Sequence, residues 1–443
     1  MKTLPLLLLA FLASLAATPA FAAPAFTFLA RWQTWTPAPT AKPTEAVRPV
    51  GLYQDVARTQ PALKAGDRVL AFHDESRPDG LTLTQPDPAK APTLEFTHGR
   101  PVLRFDGIDD HLLMTADLPL DGLDLWARYT LTRPPTSAYD SVVSGHVSGG
   151  YDFGPENAFR LLTVDYQRST AQTLPQVVHL SARAGAATLL TEGALLHQGK
   201  FATGAVTRLS IGSGLPKAPK HFLAMDLEAV VIARDVSPEN ARVITTQLGA
   251  RLDAPRLVCT GDSLTDGSHG FGQNSIRPTL EYPSQLQTLR PDRFVINNGK
   301  WGALVSTQLP VDPLYAPGAQ LVVFIGSNNL SAGHSPEKSY EAIAVYCRAR
   351  QAKGWTVYVT TLLPRVAPAT VPDWEKNRQA LNALIRAGHA SFASGLIDFA
   401  ADPHVGDAGD ELDATYYTPD QVHLTAAGAA VLAEQVHRAL PPP

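Results

Sequence analysis

One stretch decides the fold of the C-terminal half of this chain: LVCTGDSLTDG, residues Leu257–Gly267. Its apolar start predicts a short buried strand, and the glycine and aspartate residues that follow predict a turn. A serine in such a turn is presented at the carboxyl end of a strand, which is where open α/β sheets bind their ligands. Ser263 is therefore the strongest candidate for a nucleophile in this sequence.

The C-terminus offers the two groups that a nucleophilic serine requires, a base and a group that orients the base. In the stretch DQVH, residues Asp420–His423, a carboxylate precedes an imidazole by three residues, ahead of a predicted helix that ends near Leu440. At this spacing the carboxylate can bond to the imidazole nitrogen that faces away from the serine and fix the tautomer. We expect His423 to be the base and Asp420 to orient it.

Two further predicted strands end in residues that are suited to stabilise an oxyanion. Phe294–Ile296 leads into NNGKWG, where Gly302 lets a backbone N–H approach a substrate closely. Leu321–Ile325 leads into GSNN, where the amide of Asn328 is a second donor. Gly302 is equally suited to end a strand, and Asn328 to cap a turn, so both roles stay open on the residues alone.

In their order along the chain these four blocks resemble the SGNH (GDSL) hydrolase family, over residues 255–440. The resemblance implies that Ser263 is the nucleophile and that the Ser263 N–H, Gly302 and Asn328 are the oxyanion donors. It implies that His423 is the base and Asp420 its orienting carboxylate. It also implies a three-layer α/β/α domain with a doubly wound parallel sheet, and ester hydrolysis through an acyl-serine without a metal or an organic cofactor.

One position departs from the family pattern. The third block usually reads G-x-N-D, but Asn329 replaces the aspartate here, which puts the hydrogen bonds that hold this loop in question.

A second pair of residues competes with the predicted base, because Asp402 and His404 also place a carboxylate near an imidazole. We prefer Asp420 and His423, because the Leu-Thr-x-x-Gly and the helix that follow them match the last block of the family.

The segments between the blocks alternate between helical and strand patterns, as expected for a doubly wound sheet. Asp262 and Asp266, on either side of the nucleophile segment, are interpreted as acceptors that stabilise the turn and not as acid–base groups. The predicted helices are Pro336–Lys353 and Asp373–His389, and the predicted strands are Trp355–Thr361 and Gly395–Phe399.

The N-terminus indicates an exported protein. Lys2 precedes an apolar run at Leu4–Ala17, and AFA at Ala20–Ala22 is a small-x-small cleavage site, so residues 1–22 are predicted to be a signal peptide. The run is too short to span a bilayer, and no other stretch is long and apolar enough to do so. Residues 23–49 are rich in Pro, Thr and Ala and are predicted to form an extended arm. The expected location is secreted or periplasmic.

Residues 50–252 show short strand patterns broken by Gly, Pro, Asp and Asn, which predicts an antiparallel β-sandwich. The stretches Gly99–Leu112 and Phe222–Ile232 resemble segments of laminin-G-like, concanavalin-A-type jelly rolls. A helix is predicted at Ser237–Leu252, with Ser237 as its N-cap and Pro238 in its first turn. The hydrolase domain then occupies residues 253–443.

A ligand for the predicted sandwich is less well defined by the sequence. Its aromatic residues are candidate platforms for a sugar ring, with the alternative that they belong to the core: Trp126, Tyr139 and Tyr151. Three carboxylates offer oxygen ligands for Ca²⁺, and a turn stabilised by aspartate explains them equally well: Asp106, Asp109 and Asp110.

Composition limits the class of protein. A chain of 443 residues with 44% hydrophobic residues is long enough for two globular domains, and a net charge of −4 argues against nucleic acid as a partner. The two cysteines, Cys259 and Cys347, are too few for a disulfide framework. Each is expected to pack as a small hydrophobic residue, and a bridge between them stays open.

The sequence therefore predicts an exported serine esterase that acts on a small-molecule or polysaccharide ester, with O-acetyl groups on carbohydrate as the favoured substrate. The sandwich domain would bind the glycan. Two alternatives stay open. One is a lipase, thioesterase or lysophospholipase with the same catalytic residues, and the other is a glycan-binding protein without activity.

Overall fold

The computed structural model describes residues 27–34, 49–76, 79–97, 99–133, 140–147, 175–200, 204–214, 218–250, 252, 254–267, 281–307 and 318–441. The predicted signal peptide, most of the predicted arm and the two candidate aromatics Tyr139 and Tyr151 lie outside these residues. Within the described ranges, no helix has the length and apolar character needed to cross a membrane.

The N-terminal region is built from antiparallel strands. They are β1 (Thr27–Gln33), β2 (Leu52–Tyr53), β3 (Ala71–His73), β4 (Thr82–Thr84), β5 (Thr93–Thr97), β6 (Arg100–Asp106), β7 (Leu112–Pro119), β8 (Leu123–Leu131), β9 (Val143–Val147), β10 (Gln176–Arg183), β11 (Ala186–Thr191), β12 (Ala194–Lys200), β13 (Ala205–Ile211) and β14 (Ala224–Arg234).

These strands form two sheets in the described part of the chain. One has the order β12-β11-β10-β8-β14-β6-β5, with β1 also paired to β14, and the other has the order β2-β3-β4-β7-β13-β9. Buried side chains of both sheets, such as Leu125 and Phe105 in the first and Phe72 and Leu209 in the second, belong to one hydrophobic core. The region is strand-rich as predicted, whereas its identity as a jelly roll stays a prediction. β1 lies inside the segment that was expected to be an arm.

A helix covers the outer face of the larger sheet. It is α1 (Pro238–Gln247), and the Ser237 hydroxyl accepts the Asn240 N–H at its start, as the sequence predicts. The helix ends earlier than the predicted Leu252, because Gly249 has a φ of 81°, a left-handed conformation that stops a helix.

Trp126 lies beneath α1, which decides between its two predicted roles in favour of the core. The indole is fully buried, its Nε1–H donates to Thr245 Oγ1 at 3.0 Å, and its ring stacks on His179 with a centroid separation of 4.1 Å. A sugar cannot reach a fully buried ring, so Trp126 is a core residue of the contact between the sheet and α1.

The three aspartates of the candidate calcium site lie at the end of β6 and in the turn after it. Their carboxylate oxygens lie within 4.8 Å of one another. The hydrogen bonds match the turn interpretation, because Asp106 Oδ1 accepts the N–H of Ile108 at 2.7 Å and Asp110 Oδ2 accepts the N–H of Asp106 at 2.9 Å.

The C-terminal region is an α/β domain. Its strands are β15 (Arg256–Gly261), β16 (Phe294–Gly299), β17 (Gln320–Phe324), β18 (Thr356–Thr360) and β19 (Gly395–Ile397). Its helices are α2 (Ser263–Asp266), α3 (Tyr282–Leu289), α4 (Ser327–Ser331), α5 (Pro336–Gln351), α6 (Trp374–Gly388) and α7 (Ala426–Ala439).

All five strands are parallel, in the order β16-β15-β17-β18-β19. The connection from β15 through α3 leads to β16, towards one edge of the sheet. The connection from β17 through α5 leads to β18, towards the other edge. Right-handed crossovers in opposite directions place their helices on opposite faces of a sheet, so the sheet is doubly wound, as predicted. The direction reverses beside β15, and the carboxyl ends of β15 and β17 border the crevice at this switch point.

The predicted helices and the strands predicted at Trp355–Thr361 and Gly395–Phe399 lie within two residues of the observed ones at each end, whereas β16 extends three residues beyond the predicted Ile296. The helices predicted at Pro336–Lys353 and Asp373–His389 correspond to α5 and α6. Cys259 on β15 and Cys347 on α5 are both buried and carry free thiols, so no disulfide joins them.

Candidate active site

The candidate nucleophile lies where β15 turns into α2. Ser263 is the first residue of α2, and Asp262 caps the helix by accepting the Leu264 N–H at 3.1 Å, which confirms its predicted role as a turn acceptor. Gly261 is required here, because a Cβ at this position would lie 2.2 Å from the carbonyl oxygen of Phe324. The close contact between neighbouring strand ends holds the turn that presents Ser263.

A continuous hydrogen-bonded chain joins the three residues predicted for nucleophilic chemistry. His423 Nε2 lies 2.8 Å from Ser263 Oγ, and His423 Nδ1 lies 2.6 Å from Asp420 Oδ2. His423 is 8% exposed, so its ring is largely shielded from water. With Nδ1–H donating to the carboxylate, Nε2 is left as the acceptor for the serine proton.

The carboxylate of Asp420 is held by its own loop. Its Oδ1 accepts the Thr418 hydroxyl at 2.7 Å and the N–H groups of Val422 and His423 at 3.0 Å each. Burial acts to raise the pKa of Asp420, but these hydrogen bonds and the one from the His423 ring outweigh it and hold the pKa well below its usual range. Asp420 is therefore ionised wherever the protein is folded near neutral pH.

Of the predicted oxyanion donors, Gly302 lies in the loop after β16, and Asn328 lies on α4, which follows β17 and contacts this loop. Gly302 has a φ of 65°, which favours glycine, in a turn closed by the Ala303 N–H to the Lys300 carbonyl at 3.1 Å. The Asn328 amide donates to the Ala303 carbonyl at 3.2 Å. The turn is also fixed to β15, because the Lys300 N–H donates to the Gly261 carbonyl at 3.0 Å.

Asn329, the departure from the family pattern, is buried and hydrogen-bonded. Its Oδ1 accepts the Val305 N–H at 3.1 Å, and its Nδ2 lies 3.3 Å from His334 Nδ1. The loop is therefore held with asparagine in place of aspartate.

Two charged residues act on the hydrogen-bonded chain, and the sequence singled out only Asp262, as a turn acceptor. Burial raises the pKa of Asp262 to about 6, although the Leu264 N–H and the nearby His423 and Arg365 act in the opposite direction. Arg365, in the loop after β18, is half-buried, and burial lowers its pKa while Asp262 and Asp420 raise it. No motif marks Arg365 in the sequence, because its role depends on a loop that folds back over the site.

A buried carboxyl group borders the nucleophile on its other side. Glu281 lines a small cavity together with Ser263, Leu264, His423 and Leu424. The Ser284 hydroxyl donates to Glu281 Oε1, and burial raises the pKa of Glu281 to about 7. Nothing in the sequence distinguished this glutamate from a surface residue at the start of a helix.

The competing pair does not reach the serine. His404 Nδ1 lies 3.3 Å from Asp402 Oδ1, and the His404 side chain is 55% exposed. The hydrogen bond to Ser263 Oγ is made by His423.

Comparison with known proteins finds a family match in the C-terminal region. Residues 259–431 match the sequence model of the GDSL-like Lipase/Acylhydrolase family. This segment is similar to GDSL-like lipase/acylhydrolase domains. Ser263, Gly302, Asn328, Asp420 and His423 all lie inside it. No curated protein matches the chain.

Several solved structures are similar to part of this chain. A member of the lipolytic protein G-D-S-L family from Veillonella parvula is 16% identical, with a TM-score of 0.34, over 42% of this chain and 97% of that one. A GDSL-like lipase from Bacteroides thetaiotaomicron is 21% identical, with a TM-score of 0.34, over 42% and 87%. A carbohydrate acetylesterase family member from Sinorhizobium meliloti is 20% identical, with a TM-score of 0.33, over 42% and 96%.

Proposed function

We propose that this chain is a serine esterase that hydrolyses carboxylic esters through an acyl-serine intermediate. The observation that carries the proposal is the chain of hydrogen bonds from Ser263 Oγ through His423 to Asp420, with 2.8 and 2.6 Å between the bonded atoms. A serine hydroxyl is a weak nucleophile at neutral pH, and this arrangement supplies the base and the orienting carboxylate that activate it.

In the proposed reaction Ser263 Oγ attacks the ester carbonyl carbon while His423 Nε2 takes the hydroxyl proton. The negative charge on the carbonyl oxygen is stabilised by the N–H groups of Ser263 and Gly302 and by the amide of Asn328. The imidazolium, stabilised by Asp420, then gives its proton to the leaving alcohol. His423 then deprotonates a water, which attacks the acyl-serine, and returns this proton to Ser263 Oγ as the acid is released.

A short acyl group on a carbohydrate is the proposed substrate. Among the described residues, Leu264 and Leu424 border a cavity beside Ser263, and these apolar side chains suit the methyl group of an acetyl ester. Trp301, next to Gly302, is 45% exposed, and an exposed indole beside the site supports binding of a sugar ring in the alcohol part of the ester.

The proposal includes export and a role for the N-terminal sheets. The apolar segment and AFA site at residues 1–22 support secretion or transfer to the periplasm, and sequencing of the mature N-terminus should begin at Ala23. Glycan binding by the strand-rich region is proposed from its resemblance to laminin-G-like domains, and a glycan array probed with the Ser263→Ala protein tests it without turnover.

A panel of esters tests the substrate class. The expected order of kcat/KM is p-nitrophenyl acetate above butyrate above palmitate, with release of acetate from an acetylated polysaccharide. Trp301→Ala should raise KM for the polysaccharide by about tenfold and leave p-nitrophenyl acetate within about twofold. Faster hydrolysis of palmitate would favour a lipase, and no Ser263-dependent hydrolysis of any ester would favour a glycan-binding protein.

A further inference from the structure

Two consecutive asparagines on α4 hold the loop that carries the predicted oxyanion glycine. Asn328 donates to the Ala303 carbonyl at 3.2 Å, and Asn329 accepts the Val305 N–H at 3.1 Å. Gly302 directly precedes Ala303, the first of the two loop residues that the asparagines hold. The position of its N–H relative to the Asn328 amide therefore depends on both asparagines.

The orientation of the Asn329 amide is fixed by chemistry. The Val305 N–H is a donor, so the Asn329 oxygen faces it and the NH₂ group faces His334. An amide NH₂ group can only donate. His334 Nδ1 must therefore accept, and the ring must carry its proton on Nε2. Among the described residues, no carboxylate forms an ion pair with His334 that would favour the other arrangement.

His334 is itself held against Asn329 by the backbone. The His334 N–H donates to the Asn329 carbonyl at 3.0 Å, and the chain turns back at Gly333, which has a φ of 79°. Ser335 then caps α5 by accepting the Lys338 N–H at 3.2 Å. The imidazole is thus placed beside the Asn329 side chain by a short, tightly bonded connection between two helices.

Aspartate, the residue that the family pattern has at position 329, would impose the opposite requirement. A carboxylate would accept the Val305 N–H with one oxygen, but its second oxygen would present an acceptor to His334 Nδ1. The ring would then have to carry a proton on Nδ1. Asn329 and His334 are therefore complementary in their donors and acceptors.

We propose that Asn329 and His334 are a matched pair of positioning residues, which set the oxyanion site by holding the Val305 end of the Gly302 loop. The inference rests on the proposed esterase function. Neither residue touches the substrate. His334 acts through Asn329, and Asn329 acts through the loop that presents the Gly302 N–H beside the Asn328 amide.

Three substitutions of His334 separate positioning from a general structural role. In His334→Asn the side-chain oxygen takes about the place of Nδ1 and still accepts from Asn329, so kcat should stay within about twofold of wild type. In His334→Gln and His334→Ala that acceptor is lost, and kcat should fall about tenfold. KM should be unchanged in all three, because the oxyanion forms in the transition state. His389→Ala, at the far end of α6, is the matched control and should behave as wild type.

Side-chain ¹⁵N NMR of His334 gives a readout that does not require activity. Wild type and the inactive Ser263→Ala protein should both show the Nε2–H tautomer, and Asn329→Asp should shift the proton to Nδ1 while keeping kcat within about threefold. The proposal is overturned by an Nδ1–H tautomer in wild type, by a His334→Gln kcat equal to wild type, or by a His334→Asn loss as large as that of His334→Ala. Full activity of Ser263→Ala would instead overturn the proposed function and leave the tautomer result standing.

Discussion

The backbone N–H of Val366 donates to the carbonyl of Gln421 at 3.0 Å, and this bond joins the loop after β18 to the loop that carries Asp420 and His423. Gln421 has a φ of 55°, an uncommon conformation for a residue with a side chain, and the bond from Val366 helps to hold it. Arg365 precedes Val366 and carries a positive charge close to Asp262 and Asp420. The loop after β18 therefore aligns the site and contributes charge to it.

Arg365→Gln should lower kcat/KM about fivefold near pH 6 and less near pH 8. Loss of the cation disfavours the ionised form of Asp262, whose pKa of about 6 is already raised by burial, so this carboxylate beside His423 would be neutral over a wider pH range. Ester hydrolysis from pH 5.5 to 8.5 measures the effect. Arg386→Gln, which breaks an exposed ion pair with Asp398, is the control. Equal rates for Arg365→Gln and wild type at both pH values would show that the charge has no role.

His423→Ala should reduce kcat at least about a thousandfold, whereas His404→Ala should stay within about threefold of wild type. The reason is geometric, since His423 bonds to Ser263 Oγ and the exposed His404 bonds to Asp402. Steady-state kinetics on p-nitrophenyl acetate compares the two variants. The opposite ranking would assign the base to the Asp402 and His404 pair.

Glu281 should make the protein less stable as the pH rises from 5 to 8. Burial raises its pKa to about 7, against about 4.3 in an unfolded chain. Its contribution to stability is therefore complete below the unfolded value and is lost as the pH rises through about 7, by on the order of 3 kcal/mol. Urea unfolding at pH 5 and pH 8 should show that the free energy of unfolding falls less in Glu281→Gln than in wild type. Glu341→Gln, on the exposed face of α5, is the control and should show the same pH dependence of unfolding as wild type. If the free energy of unfolding falls as much in Glu281→Gln as in wild type, burial does not raise the pKa of Glu281.

The two thiols should be unreactive in the folded protein. Cys259 and Cys347 are buried, and burial raises the pKa of each to about 12, so almost no thiolate forms at pH 8. A thiol reagent added without reductant should label neither residue in buffer and both in denaturant. Rapid labelling of the native protein would contradict the burial, and absence of labelling in denaturant would reveal a disulfide.

The sequence was most informative where a local pattern determines the structure. The blocks around Ser263 and His423 combine turn formers, strand ends and a fixed Asp-to-His spacing, so their positions followed from short-range chemistry. Arg365 was missed because it reaches the site through tertiary folding of a loop. Trp126 was assigned two alternatives because an aromatic residue on a strand looks the same in a core and on a surface, and the position of α1 decided between them.

The kcat of Ser263→Ala on p-nitrophenyl acetate decides whether Ser263 is the nucleophile. The kcat should fall at least about 10⁴-fold, because Ser263 Oγ is the atom that His423 contacts and that would form the acyl intermediate. The urea unfolding midpoint should be unchanged, since the substitution removes one hydroxyl at the start of α2. A folded Ser263→Ala protein that keeps more than about a tenth of the wild-type kcat would show that Ser263 is not the nucleophile.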